Sequence, residues 1–340
     1  MTNISFPGLG IETFSVNKIA FTIPIGNGIG VRWYGILITL GIILAMVYCS
    51  YRAKQEKIIF DDLLDMAIFT VISAIIGARL YYVLFSLDQY DSFLDVIAIW
   101  NGGLAIYGGI IGGAIAIFFV CRHKKINALK AFDMVSPAVM IGQIVGRWGN
   151  FFNGEAFGSQ IAESEFLYFI RMGLSHGEGT RITRFYHPTF LYESLWNLVG
   201  FLIINALYKK KKFDGQIFLM YLTWYGFGRM FIESLRTDSL YIGVFRVSQI
   251  VGFVCFIVGL VLLIVNFEKT HRKELASESY ESVYTKFTKP SDELCETEES
   301  TEEVSENEET EVEEAEPDIA EEERNADISD KLKNLFDDEN

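Results

Sequence analysis

Cysteine is scarce in this chain of 340 residues, which contains only Cys49, Cys121, Cys255 and Cys295. The four show no paired spacing, and the first three lie in apolar runs, where cysteine packs as a small apolar side chain. We therefore expect no disulfides. Histidine is equally scarce, and no spacing of His, Cys and carboxylates is typical of a metal site, so we expect no metal and no other cofactor.

Basic residues are rare towards the carboxyl end, where residues 274–340 contain 26 acidic and 5 basic side chains. That segment has a net charge of −21, whereas residues 1–273 have a net charge of +6. An acidic segment with so little apolar content does not bury enough surface to offset its chain entropy. We expect a disordered acidic tail over 274–340, and nothing in the chain points to nucleic acid as a partner.

Long apolar runs dominate the remainder, and half of all residues are apolar. A helix needs about 20 mostly apolar residues to cross a membrane. Seven stretches meet or nearly meet this requirement: 31–51, 62–86, 104–121, 131–149, 188–207, 215–235 and 246–267. The sequence predicts an all-α polytopic membrane protein with about seven transmembrane helices and a membrane domain over 31–273.

Lysine and arginine in the connections predict the orientation, because they are enriched on the cytoplasmic side. Basic residues follow the first, third, fifth and seventh stretches, whereas the connection at 87–103 has none. We therefore expect an external N-terminal segment over 1–30 and a cytoplasmic carboxyl end. The amino end lacks a basic segment before an apolar run, so we expect no cleaved signal peptide.

The largest external connection, 150–186, contains arginines that depart from this charge bias: Arg171, Arg181 and Arg184. Such bias constrains long connections only loosely. Two interpretations stay open: the segment folds as a small cap, or its arginines bind an anionic partner.

Ionisable residues inside apolar helices indicate function, since each costs at least a few kcal/mol in a bilayer. The chain has several: Arg79, Arg147, Glu155, Glu193, Arg229, Glu233 and Arg236. The orientation above puts all of them in the outer half of the membrane or at its outer edge. A shared depth favours a site over scattered structural ion pairs.

The densest polar cluster is the segment 146–158, GRWGNFFNGEAFG. Its four glycines allow the backbone to leave the helix and approach a ligand, and Arg147, Asn150, Asn153 and Glu155 supply donors and acceptors. We expect irregular backbone that lines a cavity. A helix end capped by Asn and Gly is the alternative.

A second cluster places Arg229, Glu233 and Arg236 on one predicted helical face. A glutamate between two arginines can orient both guanidinium groups and leave donors for a phosphate. An interfacial ladder of ion pairs is the alternative.

These clusters resemble the signature of the prolipoprotein diacylglyceryl transferases, G-R-x-G-N-F-x-N-x-E-x-x-G. The resemblance also covers R-W-Y-G at 32–35, the two glycine pairs within 102–109, H-P-x-x-L-Y-E at 187–193 and R-x-x-x-E-x-x-R at 229–236. It implies transfer of the diacylglyceryl group of phosphatidylglycerol to the lipobox cysteine of a prolipoprotein signal peptide, with release of glycerol 1-phosphate. The partners implied are therefore phosphatidylglycerol, the signal peptide and the bilayer.

The resemblance also implies roles for particular residues. Arg147 and Arg229 would contact the phosphate, Glu233 would orient Arg229, and Arg236 would support the site. The other expected catalytic residues are Tyr107 and Glu155, and the other expected substrate-binding residues are Tyr34, Asn150, Asn153, Gly158, His187 and Tyr225.

One position departs from the family pattern, because Tyr107 stands where many members have a histidine. A phenol, whose ordinary pKa is about 10, is a poor base at neutral pH, so we expect Tyr107 to position a reacting group. Two other classes stay open: a transporter for a small anion or lipid with an arginine-lined cavity, and a purely structural membrane protein. No repeat relates the first three stretches to the last three, which disfavours the transporter.

Overall fold

A computed structural model describes residues 1–24, 28–90, 92–176, 182 and 184–288. The chain divides into two compact units, Met1–Glu281 and Ser282–Asn340. Of the second unit only 282–288 are described, and they are helical. The predictions for Arg181 and for most of the acidic tail fall outside the described residues.

Eight α-helices form most of the first unit. They are α1 (Trp33–Glu56), α2 (Phe60–Leu84), the short α3 (Phe93–Ile97), α4 (Ile106–His123), α5 (Ala128–Asn153), α6 (Thr189–Leu207), α7 (Gln216–Leu235) and α8 (Val247–Thr288). Each of the seven predicted stretches overlaps one of the longer helices. The fourth stretch is longer than predicted, because its helix continues through the glycine-rich segment to Asn153.

Among the described residues, six helices are long and apolar enough to cross a membrane, and the protein is a multi-pass membrane protein. They lie at Trp33–Glu56, Phe60–Leu84, Ile106–His123, Ala128–Asn153, Thr189–Lys210 and Val247–Ser277. Helix α7 is not among them, because polar residues that include Arg229 and Glu233 lower its mean hydropathy.

The fold is mostly helical, but the expectation of an all-α fold missed three small antiparallel sheets. The strands are β1 (Thr2–Phe6), β2 (Ile11–Val16), β3 (Ile19–Ile23), β4 (Ile29–Arg32), β5 (Met172–His176), β6 (Phe185–Tyr186), β7 (Tyr241–Ile242) and β8 (Phe245–Arg246). A four-stranded antiparallel sheet has the order β2-β1-β5-β6. The amino-terminal segment and the connection at 150–186 therefore form one layer, whose inner face packs on Phe190 at the start of α6.

Arg171, one of the arginines that could bind an anionic partner, packs within this layer. Its guanidinium lies over the rings of Tyr168 and Phe185 and donates to the Tyr168 carbonyl. These contacts hold Arg171 within the layer, while its buried Nε has no hydrogen-bond partner in the protein, so the cap and anion-binding interpretations of this connection both stay predictions.

The helices alternate in direction, so the bundle has two polar ends. We call them the arginine end, which holds Arg147 and Arg229, and the lysine end, which holds Lys124 and Lys211. At the lysine end, Asp133 of α5 is fully buried and accepts hydrogen bonds from the amides of Gly215 and Phe218, at the start of α7. A carboxylate there stabilises unpaired amides at a helix start.

Lys211 completes this network by bridging two buried carboxylates. Its Nζ lies 2.6 Å from Glu56 Oε1 and 3.2 Å from Asp133 Oδ2. Partial burial alone would lower the pKa of Lys211, but the hydrogen bond to Glu56 and the charge of Asp133 outweigh that effect and raise it. The ends of α1, α5 and α6 and the start of α7 are thereby joined.

Arg79, one of the intramembrane ionisable residues, has a structural role. It is buried in α2 and donates hydrogen bonds to four backbone carbonyls, those of Asp95, Val96, Gly102 and Gly103. These bonds satisfy the irregular backbone between α2 and α4 that lacks helical partners. The expectation that Arg79 belongs to the functional site is therefore not supported by its contacts.

Helices α2 and α4 approach closely because glycines face each other. A Cβ added to Gly112 would lie 2.3 Å from the Ser73 carbonyl oxygen, and one added to Gly108 would lie 2.2 Å from that of Gly77. Small residues at helix interfaces permit such backbone contact in membranes.

This packing predicts that Gly112→Ala lowers stability, by about 1–3 kcal/mol, because the methyl group overlaps the Ser73 carbonyl. Gly109→Ala is the matched control, since its added Cβ would make an ordinary 3.5 Å contact. Thermal unfolding in detergent measures both. A Gly112→Ala protein that melts no lower than Gly109→Ala would contradict the packing.

Candidate functional site at the arginine end

Glu193 is the centre of the arginine end. This α6 residue is 2% exposed, and its two carboxylate oxygens accept hydrogen bonds from different helices. Arg147 Nη2 of α5 lies 2.5 Å from Oε1, and Arg229 Nη1 of α7 lies 2.9 Å from Oε2. One carboxylate thus fixes the separation of two guanidinium groups.

Glu233 and Asp238 are the carboxylates that contact the arginines of α7 and of the residues that follow it. Arg229 Nη2 lies 2.6 Å from Glu233 Oε2, although the two groups are not aligned as a hydrogen bond. Arg236 is the residue after the last helical position and forms a two-point contact with Asp238, at 3.0 and 2.7 Å. The expectation that Glu233 orients both arginines is wrong for Arg236, because the helix ends before it.

Asp238 titrates differently from a free aspartate. Partial burial would raise its pKa, but hydrogen bonds from Arg236 and the Arg236 charge outweigh that effect and lower it. Asp238 is therefore a carboxylate at neutral pH and keeps Arg236 paired. Arg236 Nη1 also lies 4.0 Å from Glu193 Oε2, so it borders the cluster.

The glycine-rich segment is helical in its first eight residues, where irregular backbone was expected. Helix α5 continues to Asn153, and Gly154, at φ 60°, and Ala156, at φ 56°, then adopt the left-handed conformation. Gly149 allows a close approach instead, because an added Cβ would lie 2.7 Å from the ring of Tyr34 on α1. Gly154 caps the helix end, the irregular backbone is confined to residues 154–158, and the cavity described below is lined by the helical Gly146, Arg147 and Asn150.

Asn150, Asn153 and Glu155 extend the cluster from the end of α5. Glu155 Oε1 accepts hydrogen bonds from Asn153 Nδ2 at 2.9 Å and from Asn150 Nδ2 at 3.3 Å. Asn150 Oδ1 in turn accepts a 3.4 Å hydrogen bond from Arg147. The buried Oδ1 of Asn153 has no hydrogen-bond partner in the protein, so this acceptor is available to a ligand.

Gly158 and His187 pack beside the cluster rather than within it. The Gly158 amide donates to the His187 carbonyl, and a Cβ at Gly158 would lie 2.6 Å from that of His187. The imidazole lies 3.0 Å from Glu165 Oε2 and 3.3 Å from the hydroxyl of Tyr192. Both ring nitrogens are thereby engaged away from the arginines.

Tyr107 and Tyr225 lie close enough to Arg229 to interact with its charge. Tyr107, at the start of α4, donates a 2.8 Å hydrogen bond to Ser248 Oγ, at the start of α8. Tyr225 is stacked on Tyr221. The structure thus brings both expected phenols to the arginine cluster.

An apolar cavity of about 620 Å³ opens at this cluster. It lies between α1, α2, α4 and α5, and its polar end is formed by Tyr34, Gln143, Arg147 and Asn150. The buried Oε1 of Gln143 has no partner in the protein. This shape suits an amphiphile that has a polar group at one end.

Sequence reasoning included Glu193 among the intramembrane ionisable residues without giving it a role, and it missed Ser248. Glu193 had a signal, since it is ionisable within an apolar stretch, but the sequence does not specify its partners. Ser248 had none. Among the residues that the structure describes, no group of three His, Cys, Asp or Glu side chains is placed to hold a metal ion.

The arrangement can bind an anion. A guanidinium has five N–H donors, so an arginine that gives one or two to carboxylates keeps others for a ligand. The side chains of Arg147 and Arg229 are 19% and 14% exposed, and Arg147 lines the cavity.

Comparison with known proteins agrees with the motifs. The family model described as prolipoprotein diacylglyceryl transferase matches residues 18–265. A Clostridium perfringens protein named phosphatidylglycerol–prolipoprotein diacylglyceryl transferase 1 is 44% identical over 263 residues, which cover 76% of this chain and 97% of that protein. Transferases of the same name, without the numeral, from Streptococcus equi subsp. zooepidemicus and Streptococcus suis are 41% and 45% identical, and the matches cover 76% and 71% of this chain and 97% and 90% of those proteins.

The geometry predicts that Glu193→Gln destabilises the protein, by roughly 3–5 kcal/mol, because two arginines lose their shared carboxylate. Asp238→Asn is the control: its side chain is 47% exposed, and we expect a loss of about 0–1 kcal/mol. Thermal unfolding in detergent compares them. Equal melting temperatures for the two variants would rule out Glu193 as the centre of the cluster.

Proposed function

We propose, because the chain belongs to the prolipoprotein diacylglyceryl transferase family, that it transfers the diacylglyceryl group of phosphatidylglycerol to the lipobox cysteine of prolipoproteins. The observation that supports the site is the pair Arg147 and Arg229 on one buried carboxylate, with Arg147 also lining the polar end of an apolar cavity. The cavity suits acyl chains and the guanidinium groups suit a phosphate.

The reaction joins the cysteine sulfur to a glycerol carbon of the lipid. The carbon–oxygen bond to the phosphate breaks, the thiol proton is released, and glycerol 1-phosphate leaves. Negative charge concentrates on the departing phosphate oxygen, so donors placed in advance at that oxygen lower the barrier. Arg147 and Arg229 supply these donors. The nucleophile belongs to the peptide, and nearby arginines favour its thiolate form.

Glu193 keeps both arginines in place before the lipid binds. A preorganised pair of donors does not have to reorient during the reaction. Glu233 restrains the second nitrogen of Arg229, and Arg236 with Asp238 closes the neighbouring side.

The side chains at the end of α5 bind the glycerol part of the headgroup. The free Oδ1 of Asn153 and the carboxylate of Glu155 accept hydrogen bonds from its hydroxyls. Asn150 links this region to Arg147. Tyr34 and Tyr225 border the headgroup. Gly158 lets the backbone pack closely against His187, and His187 stabilises the adjoining strand layer.

The orientation follows from charge. Helix α7, the sixth of the long helices in chain order, also crosses the membrane and brings the number of transmembrane helices to seven, with its polar face turned towards the cluster rather than the lipid. The lysine end is cytoplasmic because basic side chains are retained there. The amino end, the arginine end and the active site then face outward in the bacterial plasma membrane, and the acidic tail is cytoplasmic.

The transporter alternative has no support, because the curated relatives described above carry transferase names. A direct assay separates the two. Purified protein with phosphatidylglycerol and a lipobox peptide should release glycerol phosphate and shift the peptide mass by one diacylglyceryl group. A peptide with serine in place of the cysteine is the control. Absence of both products in well-folded protein would refute the proposal.

Arg147→Lys should lose nearly as much activity as Arg147→Ala, because an ammonium group does not reproduce the fork that contacts Glu193 and a phosphate together. Arg171→Lys, in the cap layer, is the control and should stay active. Turnover in the peptide assay measures all three. A Lys variant that inserts normally and retains most activity would contradict the assignment.

Tyr107→Phe should lower turnover about 10- to 100-fold, because a hydrogen bond to a charged group contributes about 1.5–3 kcal/mol. Tyr107→His keeps a donor and should lose less. Tyr81→Phe, which removes the hydroxyl group of a neighbouring tyrosine, is the control. Turnover is measured against pH for each form. Complete inactivity of Tyr107→Phe at every pH would instead identify Tyr107 as an essential base.

A further inference from the structure

The apolar cavity is long in one direction. Its wall follows α1 from Tyr34 to Cys49 and α5 from Asn150 to Met134. At about 1.5 Å of rise per residue, these parts of the two helices run about 22–24 Å. The cavity therefore extends from the arginine cluster deep into the bundle.

The far end of the cavity is closed by tightly packed side chains. Cys49, Leu63, Met66 and Met134 line it and are each at most 5% exposed. They belong to one buried cluster that joins α1, α2, α4 and α5. We call these four residues the floor. Interiors packed at this density do not yield to an added methylene without strain.

We propose, on the basis of the proposed function, that this cavity holds one extended acyl chain of the lipid and that its floor limits the chain length. Extended carbon–carbon bonds of about 1.5 Å advance about 1.3 Å per carbon. A depth of about 22–24 Å then accommodates roughly 16–18 carbons. Ile42 and Val71 line the cavity and are about half exposed. The cavity is therefore open on this side, where the second acyl chain of the lipid stays in the bilayer.

The selection is steric. An acyl chain gains little apolar contact on leaving the bilayer, since lipid tails are as apolar as the cavity wall. A longer chain that meets the floor must bend or lift its headgroup away from Arg147. The floor and the wall thus determine which lipids present their phosphate correctly.

Ala45→Phe tests the limit. Ala45 lines the cavity eleven residues below Tyr34, about 16 Å along α1, so a phenyl ring there shortens the space to about 12 carbons. We expect the variant to retain wild-type kcat/KM with 10-carbon chains and to lose about tenfold or more with 18-carbon chains. Dividing the kcat/KM of the variant by that of the wild type at each acyl-chain length removes differences in how the lipids enter detergent micelles.

Two further variants complete the experiment. Val47→Phe is the matched control, because Val47 lies on the same helix, is 63% exposed and does not line the cavity. Leu63→Ala lowers the floor and should raise activity towards 22-carbon chains relative to 18-carbon chains. Melting temperatures establish that each variant is folded. If Leu63→Ala does not fold, the comparison of Ala45→Phe with Val47→Phe alone tests the chain-length limit.

The outcomes separate the two proposals. Ala45→Phe ratios that are equal at every chain length, or that match those of Val47→Phe, would overturn the limit while leaving the transferase intact. Wild-type protein that modifies no peptide at any chain length would refute the proposed function itself.

Discussion

The arginine end depends on one buried carboxylate shared by two arginines. Isolated charges at this depth would each cost several kcal/mol, and Glu193 offsets that cost for Arg147 and Arg229 together. Since the three residues come from α6, α5 and α7, the same contacts fix three helices and two guanidinium groups. Electrostatic stability and the geometry of an anion site are therefore one feature of this protein.

The opposite end of the bundle uses the same physics. Asp133 and Glu56 are buried and satisfied by Lys211 and by backbone amides. Between the two ends, glycines bring α2 and α4 into backbone contact. Polar contacts and close packing thus hold the helices at both ends while α1, α2, α4 and α5 leave an apolar space between them. That space opens at Arg147 and matches a substrate that is charged at one end and apolar along its length.

The family assignment and the site rest on different kinds of evidence. Motifs of fixed order and a match over residues 18–265 show the family. The roles of individual residues are proposals supported by contacts. The tyrosine at 107 illustrates the difference, because the family pattern places it near the reaction whereas its hydrogen bond to Ser248 appears only in the fold. A residue that departs from a pattern must be interpreted from its neighbours.

The sequence by itself determined the helical stretches, the charge asymmetry and the motifs, because hydropathy over about 20 residues and net charge are local properties. It did not determine which charges pair. Glu193 joins Arg147 and Arg229 through helix packing, Arg79 turns to backbone carbonyls, and α5 stays helical through its glycines. The amino-terminal strands likewise pair with a segment about 170 residues away. Only the tertiary structure decides such partners, since a buried charge or an open strand edge is satisfied by whatever group the fold brings within hydrogen-bond distance.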